Sequence, residues 1–146
     1  MYEYHRFRHD PLHANYAVYS PEVPVFRSDD GAFLEEPYTV GIITSPAVNR
    51  NTLPPERHRE TGPAMWIRIV KVLYIGLAKS HDAIVLGAWG CGAFGNDGHE
   101  IAGLFRKALA GNFQGAYRVV AFAIVDWSSE KRFIGPFREV FGDNPH

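Results

Sequence analysis

The sequence predicts an α/β domain built on a mostly parallel mixed sheet. Strand-like runs alternate with segments of helical period along the chain. Two of those runs, residues 83–89 and 117–125, are almost continuously apolar, as strands covered on both faces must be. The 146 residues, 46% hydrophobic and 21% charged, suit one domain able to bury about two-thirds of its unfolded surface.

Residues 1–15 carry aromatic and histidine side chains without apolar periodicity, which predicts an irregular arm, or a short helix ending before Pro11. Residues 15–27 are β-branched and aromatic but contain Pro21 and Pro24. Proline cannot donate to a ladder, so this strand belongs at an edge or is broken in two. Ser28-Asp-Asp-Gly31 is turn chemistry, and residues 38–44, between Pro37 and Pro46, read as a buried strand. The polar, proline-bearing stretch 49–62 predicts a surface loop. Pro63 suits a first helical turn, and Trp66, Ile69, Val70, Leu73 and Leu77 then share one helical face. After the strand at 83–89 comes a glycine-rich loop. A helix follows with Ile101, Leu104, Phe105, Ala108 and Leu109 on one side, stopping near Gly111. The strand at 117–125 precedes a last helix with Phe133, Phe137, Val140 and Phe141, which has Pro136 near its start and ends at Gly142.

This composition excludes a disordered tail, a collagen-like fibre and a coiled coil. A formal charge of −1 argues against a cationic nucleic-acid platform, so no direct nucleic-acid partner is expected. No apolar run approaches the roughly 18 residues that cross a bilayer, and no membrane partner is expected. Cys91 is the one cysteine, so no intramolecular disulfide can form; with a charged, aromatic N-terminus this predicts a cytoplasmic setting.

The segment that carries chemistry is Leu86-Gly-Ala-Trp-Gly-Cys-Gly-Ala-Phe-Gly-Asn-Asp97, between a buried strand and a helix. Without Cβ atoms, Gly90, Gly92 and Gly95 let the backbone turn tightly and approach a ligand. Successive N–H groups beside a helix start attract anions, so a phosphate or diphosphate is the natural guest. Ligands of open parallel sheets also bind beyond the carboxyl ends of the strands, where this loop lies. The spacing Gly90-x-Gly92-x-x-Gly95 formally matches the dinucleotide fingerprint, so an NAD(P)-binding oxidoreductase is the alternative. That fingerprint expects an acidic residue about 20 positions on; here the next strand ends at Asp126, well beyond that mark.

Gly87-Ala-Trp-Gly-Cys-Gly-Ala-Phe-Gly-Asn-Asp97 resembles the second phosphate loop of the bacterial-type poly(ADP-ribose) glycohydrolases, a branch of the macrodomain superfamily. Tyr19-Ser-Pro-Glu-Val-Pro-Val-Phe-Arg27, Thr44-Ser-Pro-Ala-Val-Asn49 and Phe122-Ala-Ile-Val-Asp126 resemble other recurring segments of that family, in the same order. The resemblance implies a single macrodomain-like three-layer α/β/α domain over residues 1–146, the C-terminal part of a longer pattern. It also implies a pocket for ADP-ribose or an ADP-ribosylated protein. Gly90, Cys91, Gly92, Ala93, Phe94, Gly95 and Asn96 would wrap the diphosphate and distal ribose, with Phe94 on the sugar and Asn96 and Asp97 closing the loop onto the helix. Phe122 and Asp126 would lie toward the adenosine.

The family's catalytic segment, a glycine run followed by Gln-Glu-Glu, has no counterpart here, so no catalytic residue is assigned and hydrolysis of ribose–ribose bonds is the ancestral reaction. Loss of an acid/base carboxylate removes a contribution of roughly 10²–10⁴-fold. Glu35 and Glu36, beside turn residues and Pro37, are assigned to solvent. In macrodomains a strand preceding that segment lies between the strands equivalent to 38–44 and 83–89. Three outcomes follow: a longer gene product, a complementing chain, or direct pairing of those two strands; the first is the expectation.

Other candidates are weaker. His5, His9 and His13 would share a helical face, but Pro11 interrupts it, so no metal and no cofactor are assigned. Cys91 is expected to serve through its backbone N–H rather than as a thiolate. Arg57, His58 and Arg59 are assigned to solvent, and Trp66 and Trp89 to packing. Trp127 is left open between stacking on a base and lidding the core.

Overall fold

A computed structural model describes residues 10–142. Its order is β1 (Val18–Arg27), β2 (Phe33–Thr44), α1 (Thr61–Ala78), β3 (Ala83–Leu86), α2 (Gly98–Ala110), β4 (Val119–Phe122) and α3 (Gly135–Phe141). This is the expected strand and helix sequence, in a mixed α/β domain. His5 and His9 lie outside the described residues; the described start of the arm is irregular.

The sheet takes a different form from the one expected. Among the described residues the strands form two pairs, β1–β2 antiparallel and β3–β4 parallel. β1 is one edge strand rather than two pieces. Its register shifts between Ser20 and Val23, where Pro21 removes a donor and Glu22 adopts φ +52°. β2 starts at Phe33, earlier than residues 38–44 suggested, because Phe33 pairs with Arg27 across the turn, and its residues 38–42 are exposed rather than buried as expected, β1 being its one partner strand among the described residues. Glu35 and Glu36 are exposed on it, as assigned.

The parallel pair is short, with four residues in each strand. Ala83, Ile84, Val85 and Leu86 pair with Val119, Val120, Ala121 and Phe122, and both chains leave the ladder at the same end. The inward residues Ile84, Leu86, Val120 and Phe122 pack on a core formed by Met65, Ile69, Leu73, Ile101, Phe105 and Phe137. On the opposite face Val85 is 71% exposed. The helices therefore cover one face of this pair, and the expected covering of both faces is not seen among the described residues.

α1 buries Met65, Ile69, Val72 and Leu73, close to the predicted face, together with a charged residue that the pattern does not reveal. The Arg68 side chain is fully buried. It donates to Asn15 Oδ1 and to the carbonyls of Pro46, Leu12 and His13, so it straps the arm onto the helix. Burial pulls this guanidinium down to about 10, and the Asp10 charge opposes that pull. Tyr117 fastens the lead-in to β4 by donating to Leu73 O at 2.6 Å. α2 starts on Asp97, whose carboxylate accepts from Glu100 N at 2.8 Å, and stops at Gly111.

β2 and β3 do not pair directly. Between them lies a cavity of about 690 Å³, floored by Val72, Gly76 and Phe105 and walled by residues of β2 and β3. No described helix is long and apolar enough to cross a membrane.

Candidate functional site

β3 and β4 run in the same direction, so the segments leaving their carboxyl ends, residues 87–97 and 123–134, emerge side by side. Candidate ligand groups gather where such strands end. Two elements the sequence left outside the site join them: the arm at His13 and the polar stretch after β2.

The loop holds its shape through three main-chain bonds. Cys91 N donates to Ala88 O, Gly95 N to Gly92 O and Asn96 N to Gly90 O, each at 3.0 Å. The Cys91 amide, expected to face a phosphate, is thus already committed within the loop. Gly92 and Ala93 form the exposed tip. Among the described residues the N–H groups of Gly92, Ala93 and Phe94 meet no internal acceptor.

The glycines divide by role. Gly90 has φ +79°, and a Cβ there would strike the Asn96 amide and Ala47 Cβ. Gly95 has φ +67°, and a Cβ there would strike the Asn51 side chain. The fold itself requires both. Gly92 lies outside the positive-φ region, and a Cβ on it meets nothing within 4 Å.

Asn51 is the residue that sequence reasoning missed. Its N–H donates to Phe94 O at 3.2 Å and its Nδ2 to Ala93 O at 2.9 Å, so the stretch after β2 grips the loop from outside. The stretch 49–62 is accordingly more than a surface loop: it contains two 3₁₀ turns, and Leu53 is buried in the core. His13, in the left-handed region at φ +57°, bonds Ala47 O through Nδ1 at 2.8 Å, and its ring centroid lies 5.9 Å from that of Phe94. An asparagine within a short polar turn was the available signal, but its partner lies more than 40 residues away in sequence.

Asn96 is 4% exposed, and neither side-chain polar atom has a partner in the chain. Asn49 Oδ1, Arg50 Nε and Ser45 Oγ, all on the stretch after β2, share that condition. Buried polar atoms left unpaired cost about 1–3 kcal/mol each, so this corner holds unused hydrogen-bonding capacity.

The remaining candidates are accounted for by packing. The Phe122 ring lies 5.4, 5.0 and 4.7 Å from the rings of Phe105, Phe137 and Phe141, so it belongs to the helical core. The Asp126 carboxylate accepts from the N–H and hydroxyl of Ser128 and from the N–H groups of Phe133 and Ile134. Desolvation opposes its ionisation, but these donors prevail and hold it well below the usual carboxylate range. It clasps the turn before α3. Trp127 is 93% exposed, which removes the lid reading. Burial, aided by the Asp97 charge, pushes the Cys91 thiol up to about 11, so it is no nucleophile at neutral pH. Arg57 pairs with Glu60 and Asp10, and His58 bonds Leu53 O at 3.0 Å. No metal-holding cluster occurs among the described residues.

No family model and no curated protein matches the chain. Solved structures do. Poly(ADP-ribose) glycohydrolase from Deinococcus radiodurans, in complex with ADP-ribose, aligns at TM-score 0.90 and 38% identity over 95% of this chain and 57% of its own. The enzyme from Thermomonospora curvata, bound to the inhibitor ADP-HPD, aligns at TM-score 0.91 and 41% identity over 96% of this chain and 54% of its own. The apo form of the Deinococcus protein gives TM-score 0.88. The chain thus resembles bacterial poly(ADP-ribose) glycohydrolases over nearly its whole length, and spans a little more than half of theirs.

Proposed function

We propose that this chain, related over its length to bacterial poly(ADP-ribose) glycohydrolases, binds ADP-ribose, free or as the ADP-ribosyl group of a modified protein, through the loop from Gly90 to Asn96. The observation that carries the reading is the tip of that loop. Gly92, Ala93 and Phe94 present main-chain donors with no internal acceptor, on a bend whose Cys91, Gly95 and Asn96 amides are fixed. A diphosphate is an acceptor-rich dianion, and charge-assisted bonds to fixed N–H groups are the stronger kind. Phe94, steadied by His13 and Asn51, offers a half-buried ring to a ribose. Asn96 offers buried capacity at the base of the loop. On the adenosine side Phe122 and Asp126 act through the main chain they position, since ring and carboxylate are committed elsewhere.

Cleavage of a glycosidic bond needs a carboxylic acid beside the leaving oxygen. Among the described residues Glu35 and Glu36 stand exposed on β2, the Asp97 carboxylate caps α2 and Asp126 is locked in its turn. We assign this chain the binding half of the chemistry. Hydrolysis of poly(ADP-ribose) requires a segment or complementing chain that brings the acid. A cytoplasmic setting fits the single buried thiol.

Calorimetric titration with ADP-ribose, NAD and AMP tests the reading. Binding of ADP-ribose in preference to NAD is expected. Equal or tighter NAD binding would favour the oxidoreductase reading, and no binding by a folded sample would end both.

A further inference from the structure

We propose that Arg50 is a ligand-binding residue, whose guanidinium has no partner among the described residues and pairs with the diphosphate held at the loop from Gly90 to Asn96. The inference rests on the ADP-ribose reading above and adds to it a charged side chain from outside the glycine loop.

Sequence and packing isolate this cation. Residues 45–55 and 83–96, which build the corner around the loop, contain one charged side chain between them, Arg50. Among the described residues three arginines are withdrawn from the open surface: Arg50, Arg57 and Arg68. Arg57 pairs with Glu60 and Asp10, and Arg68 donates to Asn15 and to three carbonyls. Arg50 is half-buried and its Nε is enclosed. Yet among the described residues no carboxylate pairs with it, and none of its side-chain N–H groups finds an acceptor. A cation partly withdrawn from water without a counter-charge is costly to hold. An anion from outside the chain removes that cost.

Its place in the fold brings the charge to the loop. Arg50 opens the 3₁₀ turn Arg50–Thr52, and the next residue, Asn51, bonds Ala93 O and Phe94 O. The Asn51 side chain lies against Gly95, while Gly90 lies against Ala47 and the Asn96 amide. Residues 47 and 51 thus both touch the loop, with Arg50 between them. The neighbouring Asn49 Oδ1 is buried without a partner, as are both side-chain polar atoms of Asn96, a residue 4% exposed. With the unpaired N–H groups of Gly92, Ala93 and Phe94, this corner is rich in donors and free of acids. Such surroundings favour an anion over a cation or an apolar guest. The planar guanidinium matches phosphate oxygens two at a time, and the diphosphate is the anionic group of ADP-ribose.

The test is isothermal titration of ADP-ribose into the parent, Arg50→Met and Arg50→Lys chains, at about 50 and about 500 mM NaCl. At the lower salt Arg50→Met should bind about 10- to 100-fold more weakly, as expected for a lost charge-assisted hydrogen bond. It should also lose most of the parent's salt dependence. Arg50→Lys keeps the charge without the planar fork, so it should recover part of the affinity and the salt response. Thermal unfolding of Arg50→Met should match or exceed that of the parent, because no internal partner is stranded. Binding by Arg50→Met within about threefold of the parent overturns the proposal, as does a loss of equal size at both salts. A fall in unfolding temperature that accompanies the loss assigns Arg50 a structural role and also overturns it. A folded parent that binds no ADP-ribose ends the nucleotide reading and this inference together. A parent that binds beside an unaffected Arg50→Met ends this inference alone.

Discussion

Replacing Gly92 by valine separates the ligand's demands from those of the fold. Gly90 and Gly95 are held in the left-handed region with side chains pressed against them, so either change disturbs the loop before any ligand arrives. At Gly92 the backbone is ordinary, and a Cβ meets nothing within 4 Å. Valine there should leave stability within about 1 kcal/mol of the parent. A diphosphate resting on the Gly92 and Ala93 amides would instead be pushed away by the branched side chain. A charge-assisted hydrogen bond contributes about 1.5–3 kcal/mol, so losing one or two costs roughly 3 kcal/mol, or about 100- to 200-fold in Kd. Isothermal titration with ADP-ribose measures the loss, and thermal unfolding monitored by circular dichroism shows that the fold is intact. Affinity within about threefold of the parent, in a folded Gly92→Val sample, would mean that the diphosphate does not sit on this tip.

Other consequences follow from the core. Arg68→Met strands the Asn15 side chain and three carbonyls at a fully buried site, and should cost about 3–5 kcal/mol in urea unfolding; a loss below about 1 kcal/mol would show that the strap is not structural. The Cys91 thiol is held protonated above its ordinary value, so the folded state retains a proton that the unfolded chain releases first. Stability should fall from about pH 9 upward, by at most about 1.4 kcal/mol per unit. Cys91→Ala should remove that slope, and an unchanged slope would assign it to another group. Gly76→Ala, favourable by about 1 kcal/mol in most helices, should destabilise here, because the new methyl meets the Tyr117 hydroxyl. Tyr117→Phe should relieve part of that penalty, and a double-mutant cycle without coupling would contradict the packing.

Local rules made the element order and the helix limits legible. Asp97 and Gly111 bracket α2, and Pro136 and Gly142 bracket α3, because caps act within a few residues. Sheet organisation was less legible. Apolar runs at 83–89 and 117–125 announced buried strands, yet the ladder spans only Ala83–Leu86 and Val119–Phe122, since a strand lasts only as long as its neighbour. The glycine loop was visible from composition, but which amides remain free was not. That depends on Ala88, Gly90 and Gly92 accepting from inside the loop. Asn51, His13 and Arg68 escaped for a common reason: each acts through main-chain oxygens at least 22 residues distant, and no periodicity encodes such a contact. Phe122 and Asp126 show the reverse case, where correct positions at a strand end hold side chains occupied by packing and turn closure.

Amide chemical-shift mapping of the ¹⁵N-labelled chain during titration with ADP-ribose tests binding at the loop most directly. Saturable shifts concentrated at Gly92, Ala93, Phe94 and Asn96, with β1 unaffected, are the expected result. Shifts centred elsewhere, or none at millimolar ADP-ribose in a folded sample, would contradict it.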